Sequence, residues 1–221
     1  MEVLSVARAA DVLEVSPRRV RQLLESGRLP GQQLGRSWVI DRGDIDRLRR
    51  NGVGRPWSAS SAWAVLELAA GREPDLSAVE RSRARKRLAD CGVAGLVVKL
   101  RARAERRGVY AHPSVLDRLA HDDRVVRGGV SAARECRVDV IVQDAAEVYV
   151  RASDVVDLVN SYALDENADR PNVIVRVVED EAWQFSDGEK VAPWPVVAVD
   201  LLDADDERSR RAGLELMERH R

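Results

Sequence analysis

Residues 4–48 read LSVARAADVLEVSPRRVRQLLESGRLPGQQLGRSWVIDRGDIDRL, and this stretch decides the fold of the N-terminal part. Ser5 can cap a short first helix, because its side-chain oxygen can accept a hydrogen bond from an otherwise unpaired helical N–H. The apolar residues that follow recur at helical core spacing, and Glu14-Val15 then predicts a tight turn. A capped helix that runs straight into a turn is typical of a helix-turn-helix.

A second helix is predicted from Ser16 to Ser26. Ser16 can cap it, and Pro17 fits the first helical position, where its missing N–H costs nothing. Gly27 is the residue type expected immediately after a helix end. We therefore expect two short helices joined by a tight turn, with the second helix available to enter a DNA groove.

The second helix has one apolar face and one polar face. With an advance of about 100° per residue, its inner stripe consists of Val20, Leu23 and Leu24. The side chains that point away from this stripe are Arg18, Arg21 and Gln22. Arginine can read guanine through two hydrogen bonds and glutamine can read adenine, so we expect this face to contact bases. Arg19 lies to the side, where it is better placed for a phosphate.

A hairpin is predicted around Gly35, followed by an apolar strand and by a third helix capped by Asp41. The hairpin tip, Gly35-Arg36-Ser37, is similar to a wing, and Arg36 is available for a backbone or minor-groove contact. Trp38 is expected in the core, because it begins the apolar strand. The full set of candidate DNA-binding residues is Ser16, Arg18, Arg19, Arg21, Gln22, Arg36 and Ser37. The alternative is a small helical domain with a solvated arginine face.

Residues 4–48 resemble the MerR/excisionase class of winged helix-turn-helix domains, since the capped turn, the proline start, the glycine stop and the wing occur in the same order. The resemblance implies a winged helix-turn-helix fold and binding to double-stranded operator DNA. It does not specify the target sequence.

The distribution of charge along the chain is uneven. The 221 residues carry a formal net charge of −1, which at first argues against a nucleic-acid partner. Residues 1–129, however, carry a net charge of +9, and residues 130–221 carry −10. Such asymmetry suggests one basic working surface and one acidic one.

Several protein classes are excluded by composition. Hydrophobic residues make up 45% and charged residues 33% of the chain, which is an ordinary globular balance. The longest apolar runs are too short to span a bilayer, so no membrane partner is expected. The first residues lack the pattern of a secretory signal, and two cysteines are too few for a disulfide scaffold. We expect a cytoplasmic protein.

Three segments are predicted, and the fold class is α+β. Residues 1–52 form the winged helix-turn-helix domain, and the sequence NGVGRPW at residues 51–57 is typical of a linker. Residues 53–109 are a basic helical segment, whose last helix is expected over Ala94–Arg107. Residues 110–221 are an acidic, mixed α/β domain.

The densest positive run of the chain lies in the middle segment. It consists of Arg81, Arg83, Arg85, Lys86 and Arg87. These residues are possible phosphate contacts that would extend the N-terminal footprint, or a docking site for an acidic partner. Because five such positions cannot share one face of a helix, a solvated helix is an equally good interpretation.

The C-terminal half resembles a second family. Four segments carry the likeness: YAHPSVLDRL at 110–119, YVRASD at 149–154, RPNVIVRV at 170–177 and VAPWPVVAVDL at 191–201. They are similar to the C-terminal part of AbiEi-type antitoxins of type IV toxin–antitoxin operons. The resemblance implies a transcriptional autorepressor that counteracts a nucleotidyltransferase-like toxin, and homo-oligomerisation is a further expectation. The chain departs from the family by its excisionase-like N-terminus.

No catalytic constellation is evident in the sequence. His112, His121 and His220 are too dispersed for a metal motif, and no nucleophile elbow, P-loop or dinucleotide fingerprint is present. We therefore expect no enzyme activity, no metal and no cofactor. The alternative function is a helix-turn-helix transcriptional regulator without a toxin, whose C-terminal domain senses a small ligand or mediates oligomerisation.

Overall fold

The computed structural model describes residues 3–25, 29–35, 37–51, 57–140 and 144–220. The chain divides into two compact units, Met1–Arg55 and Pro56–Arg221, which are described separately. The elements of the first unit are β1 (Val3–Leu4), α1 (Val6–Leu13), α2 (Pro17–Glu25), β2 (Gln32–Leu34), β3 (Ser37–Asp41) and α3 (Arg42–Asn51).

Three helices pack on a small antiparallel sheet in the first unit. The strand order is β1-β3-β2, and the β2–β3 hairpin pairs Gln33 with Trp38 and Leu34 with Ser37. The buried core consists of Ala9, Ala10, Leu13, Val20, Leu23, Leu24, Leu29, Ile40, Ile45 and Leu48. Trp38 is half-buried against this core, in agreement with its expected packing role.

The second unit contains the remaining strands and helices. Its strands are β4 (Glu105–Val109), β5 (Val125–Arg127), β6 (Ala146–Arg151) and β7 (Val173–Val178). Its helices are α4 (Ala59–Ala69), α5 (Ala78–Leu96), α6 (Leu116–Ala120), α7 (Val155–Tyr162), α8 (Trp194–Leu202) and α9 (Glu207–Glu218). Short 3-10 turns join several of these elements, including Lys99–Arg103.

A mixed sheet lies at the centre of the second unit, in the order β4-β7-β6-β5. Strands β6 and β7 are parallel and connected through α7, whereas the two edge strands are antiparallel to their neighbours. One face of the sheet packs on α6 and α7 through residues such as Val148 and Val175. The opposite face packs on α4, α5, α8 and α9, with Tyr149 in that core. The mixed α/β fold class with an N-terminal helix-turn-helix is confirmed.

The prediction of a helix over Ala94–Arg107 is wrong. Helix α5 ends at Leu96, a 3-10 turn follows, and β4 begins at Glu105. The physical reason is a long-range one, because β4 pairs along its whole length with β7, so that Arg107 lies opposite Val175. The C-terminal end of this predicted helix therefore lies in an edge strand of the central sheet.

One further element differs from the sequence pattern. A proline on each side of Trp194 is typical of an interruption in regular structure, but α8 begins at Trp194, with Pro195 in the first turn, where no helical N–H is needed. The second compact unit, Pro56–Arg221, contains both the α4–α5 region and the sheet that follows it, since β4 pairs with β7 and α4 shares a core with α8. Within the described residues, no helix has both the length and the apolar character needed to cross a bilayer.

Candidate nucleic-acid interface

The first helix of the N-terminal unit is closed at both ends by local hydrogen bonds. The Ser5 side-chain oxygen accepts from the Arg8 N–H at 3.4 Å. At the other end, Glu14 adopts a left-handed conformation with φ of 54°, and the Val15 N–H donates to the Ala10 carbonyl at 3.1 Å. The chain therefore reverses within Glu14 to Ser16, as the sequence predicts.

The start of α2 is fixed in the predicted way. The Ser16 side-chain oxygen accepts from the Arg19 N–H at 3.2 Å, and Pro17 is the first helical residue. This bond satisfies one of the unpaired N–H groups of the first turn. The expected helix stop at Ser26 and Gly27 lies outside the described residues. The Ser16 side chain thus caps the helix. The Ser16 backbone lies at the helix N-terminus, a position at which phosphates bind readily.

Helix α2 is divided into a buried face and an exposed face. Val20 and Leu23 are 0% and 1% exposed, and they anchor the helix to α1 and β3. Arg18, Arg21 and Gln22 are all exposed on the opposite side. Since the apolar side holds the helix in place, the guanidinium and amide groups of these three residues are presented together to solvent.

Arg19 and Gln22 contact each other on the flank of this face. The Arg19 Nη1 donates to the Gln22 Oε1 at 3.4 Å, and Arg19 is half-buried. Reading adenine requires both the oxygen and the nitrogen of a glutamine amide. Gln22 would therefore have to exchange the Arg19 contact for a base, which would free Arg19 for a phosphate.

The wing lies directly beyond α2 along the chain. Leu34 pairs with Ser37, and Gly35 in the connecting loop has φ of 62°, a conformation that favours glycine. Ser37 is exposed, whereas Arg36 lies outside the described residues. At the base of the wing, a Cβ on Gly31 would approach the Leu24 Cδ2 to 2.6 Å, so the hairpin packs tightly on the inner side of α2.

Two residues near the wing were missed by the sequence reasoning. Gln32 and Gln33 are both exposed on the edge strand β2. Their amides can donate and accept hydrogen bonds, and they lie beside the hairpin tip. The available signal was the pair of adjacent amides immediately before the predicted hairpin.

The basic cluster of the second unit is largely engaged within that unit. The Arg81 Nη1 donates to the Leu76 carbonyl at 2.9 Å, and the Arg85 Nη2 lies 2.6 Å from the Glu73 carboxylate. The Arg87 guanidinium lies 4.4 Å above the Trp57 ring. Arg83 and Lys86 are exposed. These contacts favour the solvated-helix interpretation of the run, while leaving Arg83 and Lys86 available to a polyanion.

Arginines and acidic residues that lie far apart in the sequence form ion pairs in the second unit. Six arginines from residues 56–129 pair with acids from residues 130–221: Arg72–Glu189, Arg101–Asp203, Arg103–Asp200, Arg106–Asp205, Arg107–Glu166 and Arg127–Glu135. Much of the positive charge of the middle segment is thereby balanced internally. The basic surface expected from the sequence is consequently weaker in this unit than its composition suggests.

A buried polar network joins β6, β7, α8 and the Lys99–Arg103 turn. Asp200 accepts from Arg103 and from the Tyr149 hydroxyl, the latter at 2.6 Å, and Arg176 lies 2.5 Å from Glu147 and 3.1 Å from Asp200. Burial raises the pKa of Tyr149, and burial likewise raises the pKa of Glu147 against the opposing effect of Arg176. Two guanidinium groups and two carboxylates balance each other, so the network has the composition of a structural ion cluster.

Metal-ligating side chains do not cluster in the part of the chain that the structure describes. Among residues 3–25, 29–35, 37–51, 57–140 and 144–220, no set of three or more His, Cys, Asp or Glu side chains is arranged to hold a metal ion. Cys136 is half-buried, and burial raises the pKa of its thiol, which disfavours the reactive thiolate.

Comparison with protein families identifies the N-terminal unit. A family model described as a helix-turn-helix domain matches residues 3–52, which coincides with the three-helix unit and its wing. Neither the curated proteins nor the solved structures gave a match. The N-terminal unit is therefore a helix-turn-helix domain, which indicates a DNA-binding regulator, whereas the AbiEi resemblance of the C-terminal half stays a prediction.

Proposed function

We propose that this chain is a DNA-binding antitoxin and transcriptional autorepressor, in which α2 reads operator DNA and the second unit counteracts a nucleotidyltransferase-like toxin. The helix-turn-helix domain at residues 3–52 supports the first part. The likeness of residues 110–201 to AbiEi-type antitoxins supports the second. Each part has its own test.

The observation that carries the DNA-binding role is the exposed face of α2. Arg18, Arg21 and Gln22 project together from a helix that is capped at Ser16 and buried along its other side. A recognition helix must hold its base-reading side chains rigidly at the groove. The exposed serine of the wing, Ser37, and the neighbouring Arg36 are assigned to the DNA backbone.

A gel-shift titration tests this assignment. The probe is the duplex that precedes the coding sequence of this chain, because an autorepressor binds its own promoter. We expect the variant with Arg18→Ala and Arg21→Ala to lose discrimination between this duplex and a scrambled one of equal length. A loss of about 1–3 kcal/mol is expected for each base-reading side chain.

The control variant is Arg211→Ala, which removes an exposed arginine of α9 in the second unit. It changes the net charge by one unit without touching α2, so specific binding should be retained. Unchanged discrimination in the double variant, with circular dichroism equal to that of the wild type, would contradict the assignment of α2 as the reading helix.

The antitoxin role rests on the C-terminal resemblance and on charge. The second unit as a whole, residues 56–221, carries a net charge of −5, which suits a partner with a basic, nucleotide-handling surface. The test is co-expression of the full chain with the adjacent reading frame. A neighbouring nucleotidyltransferase-like protein that arrests growth alone, but not together with this chain, would support the role. An adjacent frame without that toxicity would contradict it.

We further propose that the chain acts by binding, without catalysis, and that two copies bind an operator with two half-sites. The paired, neutral composition of the buried network supports a structural role for its charges. Helix-turn-helix dimers read half-sites about 34–36 Å apart. Footprinting of the same promoter duplex should therefore show two protected regions one helical turn apart, and a single protected half-site would contradict dimeric binding.

A further inference from the structure

A cavity of about 440 Å³ lies between α4, α5, α8 and α9 of the second unit. Its walls are mainly apolar and include six large apolar side chains: Leu68, Leu88, Val93, Trp194, Leu214 and Met217. Leu214 is 49% exposed, so the cavity opens to solvent beside it. Pockets of about 300–1,000 Å³ with apolar walls and a few polar groups are the usual sites for small organic ligands.

A break in α5 forms one side of the cavity. Gly92 has φ of 60° and ψ of 172°, values that interrupt the helix within Ala78–Leu96. A Cβ built on Gly92 would meet no atom within 4 Å, so close packing is not the reason for the glycine. The left-handed conformation is the reason, and it turns Cys91 and Ala94 toward the cavity wall.

The polar groups of the cavity are concentrated at the end of α9. The His220 ring stacks on Trp194, with centroids 4.1 Å apart and planes inclined by 11°. The His220 Nδ1 lies 3.0 Å from the Leu216 carbonyl oxygen. Because a carbonyl can only accept, Nδ1 carries the hydrogen, and Nε2 of the neutral ring is an acceptor.

Glu218 supplies a negative charge at the end of α9 that lines the cavity. It is an exposed lining residue whose carboxylate can accept hydrogen bonds. Among the described residues that form the lining, none is a lysine or an arginine. The cavity thus combines an apolar, aromatic interior with hydrogen-bond acceptors and a single negative charge, and it offers no complementary group for an anion.

We propose that this cavity binds a small organic amine with a flat aromatic body. The aromatic body occupies the apolar walls beside Trp194 and Leu214, and the ammonium group pairs with the Glu218 carboxylate. An ammonium near an indole ring gains a further electrostatic attraction. This inference goes beyond the proposed DNA-binding and antitoxin roles, because it gives the second unit a small-molecule ligand of its own.

Isothermal titration of the full chain with three probes of similar shape tests the proposal. The probes are tryptamine, 3-methylindole and indole-3-acetate, which are cationic, neutral and anionic at neutral pH. We expect tryptamine to bind about tenfold more tightly than 3-methylindole, and indole-3-acetate to bind most weakly. Equal affinity of the cation and the neutral probe, or no binding of tryptamine, would overturn the proposal.

Two variants and a control locate the site. Glu218→Gln should reduce tryptamine affinity to that of 3-methylindole, while Glu215→Gln makes the same change on α9 outside the lining and should leave it intact. Ala94→Trp fills the cavity from an exposed position and should abolish binding of all three probes. Tryptamine binding that survives both Glu218→Gln and Ala94→Trp would place the ligand elsewhere and overturn the proposal.

Discussion

The guanidinium of Arg103 donates to the carboxylate of Asp200, and both side chains are 0% exposed. In the sequence they are 97 positions apart, and they belong to segments of opposite net charge. The opposite charges of the middle and last segments therefore partly cancel inside the second unit, where acids of the last segment neutralise arginines of the middle segment.

The buried Arg103–Asp200 pair predicts that removing the charge of Asp200 strongly lowers the free energy of unfolding of the second unit. Asp200→Asn keeps the shape of the side chain but leaves Arg103 and Arg176 without their shared carboxylate. We expect the free energy of unfolding of the second unit to fall by about 3–5 kcal/mol, measured by urea denaturation. Arg106→Ala is the matched control, because its pair with Asp205 is exposed and such pairs contribute about 0–1 kcal/mol. Equal losses in the two variants would contradict the assigned roles.

The network also depends on a glycine. A Cβ on Gly129 would lie 1.8 Å from the Glu147 Oε2, and its φ is +39°. Gly129→Ala therefore combines overpacking with backbone strain, and we expect a loss of about 2–5 kcal/mol in thermal or urea unfolding. Gly188→Ala provides the comparison, since Gly188 has φ of +77° with open space around it and should lose only about 1 kcal/mol. A smaller effect at Gly129 than at Gly188 would refute this explanation.

A pH dependence follows from Asp122. Hydrogen bonds from Arg124, with a further one from Tyr162, hold the pKa of Asp122 well below its usual range. A folded pKa below the unfolded value of about 3.9 means that the stabilisation is complete above that pH and declines as the pH falls toward the folded value.

The measurement is urea unfolding of wild type and Asp122→Asn from neutral pH down into the acid range. The wild type should be the more stable at neutral pH, and the difference should narrow below about pH 4. Asp123→Asn is the neighbouring control, because Asp123 is almost fully exposed and pairs with Lys190 at the surface. A difference that stays constant with pH would rule out Asp122 as the titrating group.

DNA binding should depend on salt differently when Arg19, on the flank of α2, is removed than when Arg18, on its exposed face, is removed. Arg19→Ala removes the proposed phosphate contact, so binding to specific and scrambled duplexes should weaken equally, and the slope of log K against log salt should decrease by about 1. Arg18→Ala should instead reduce mainly the discrimination between the two duplexes. Salt titrations by fluorescence anisotropy separate the two effects, and an exchange of the two patterns would reverse the assigned roles.

The N-terminal unit was predictable because its determinants are local. Ser16, Pro17 and Glu14 act within one helical turn of their positions in the sequence, and apolar spacing alone assigned Val20 and Leu23 to the core. The position of Gln22 against Arg19 was not predictable, because rotamers on an exposed helix face depend on the neighbouring side chain.

The second unit was harder to predict because its determinants are distant. Strand β4 exists through its pairing with β7, and its own sequence, ERRGV, has weak strand character. The buried charges did leave a signal, since Arg176 and Asp200 each interrupt an apolar run. Only the folded chain, however, shows that these interruptions meet each other.

The distance between Arg103 and Asp200 along the chain also sets an order for biosynthesis. At about 5–20 residues per second, a ribosome needs roughly 5–20 seconds after Arg103 to reach Asp200, 97 residues later. The helix-turn-helix unit has been synthesised before that interval begins. During the interval, Arg103 lacks its carboxylate partner, and the apolar core residues of the second unit that have already been made stay exposed. The core of the second unit therefore cannot close until both α8 and α9, which supply Val197 and Leu216, have been synthesised.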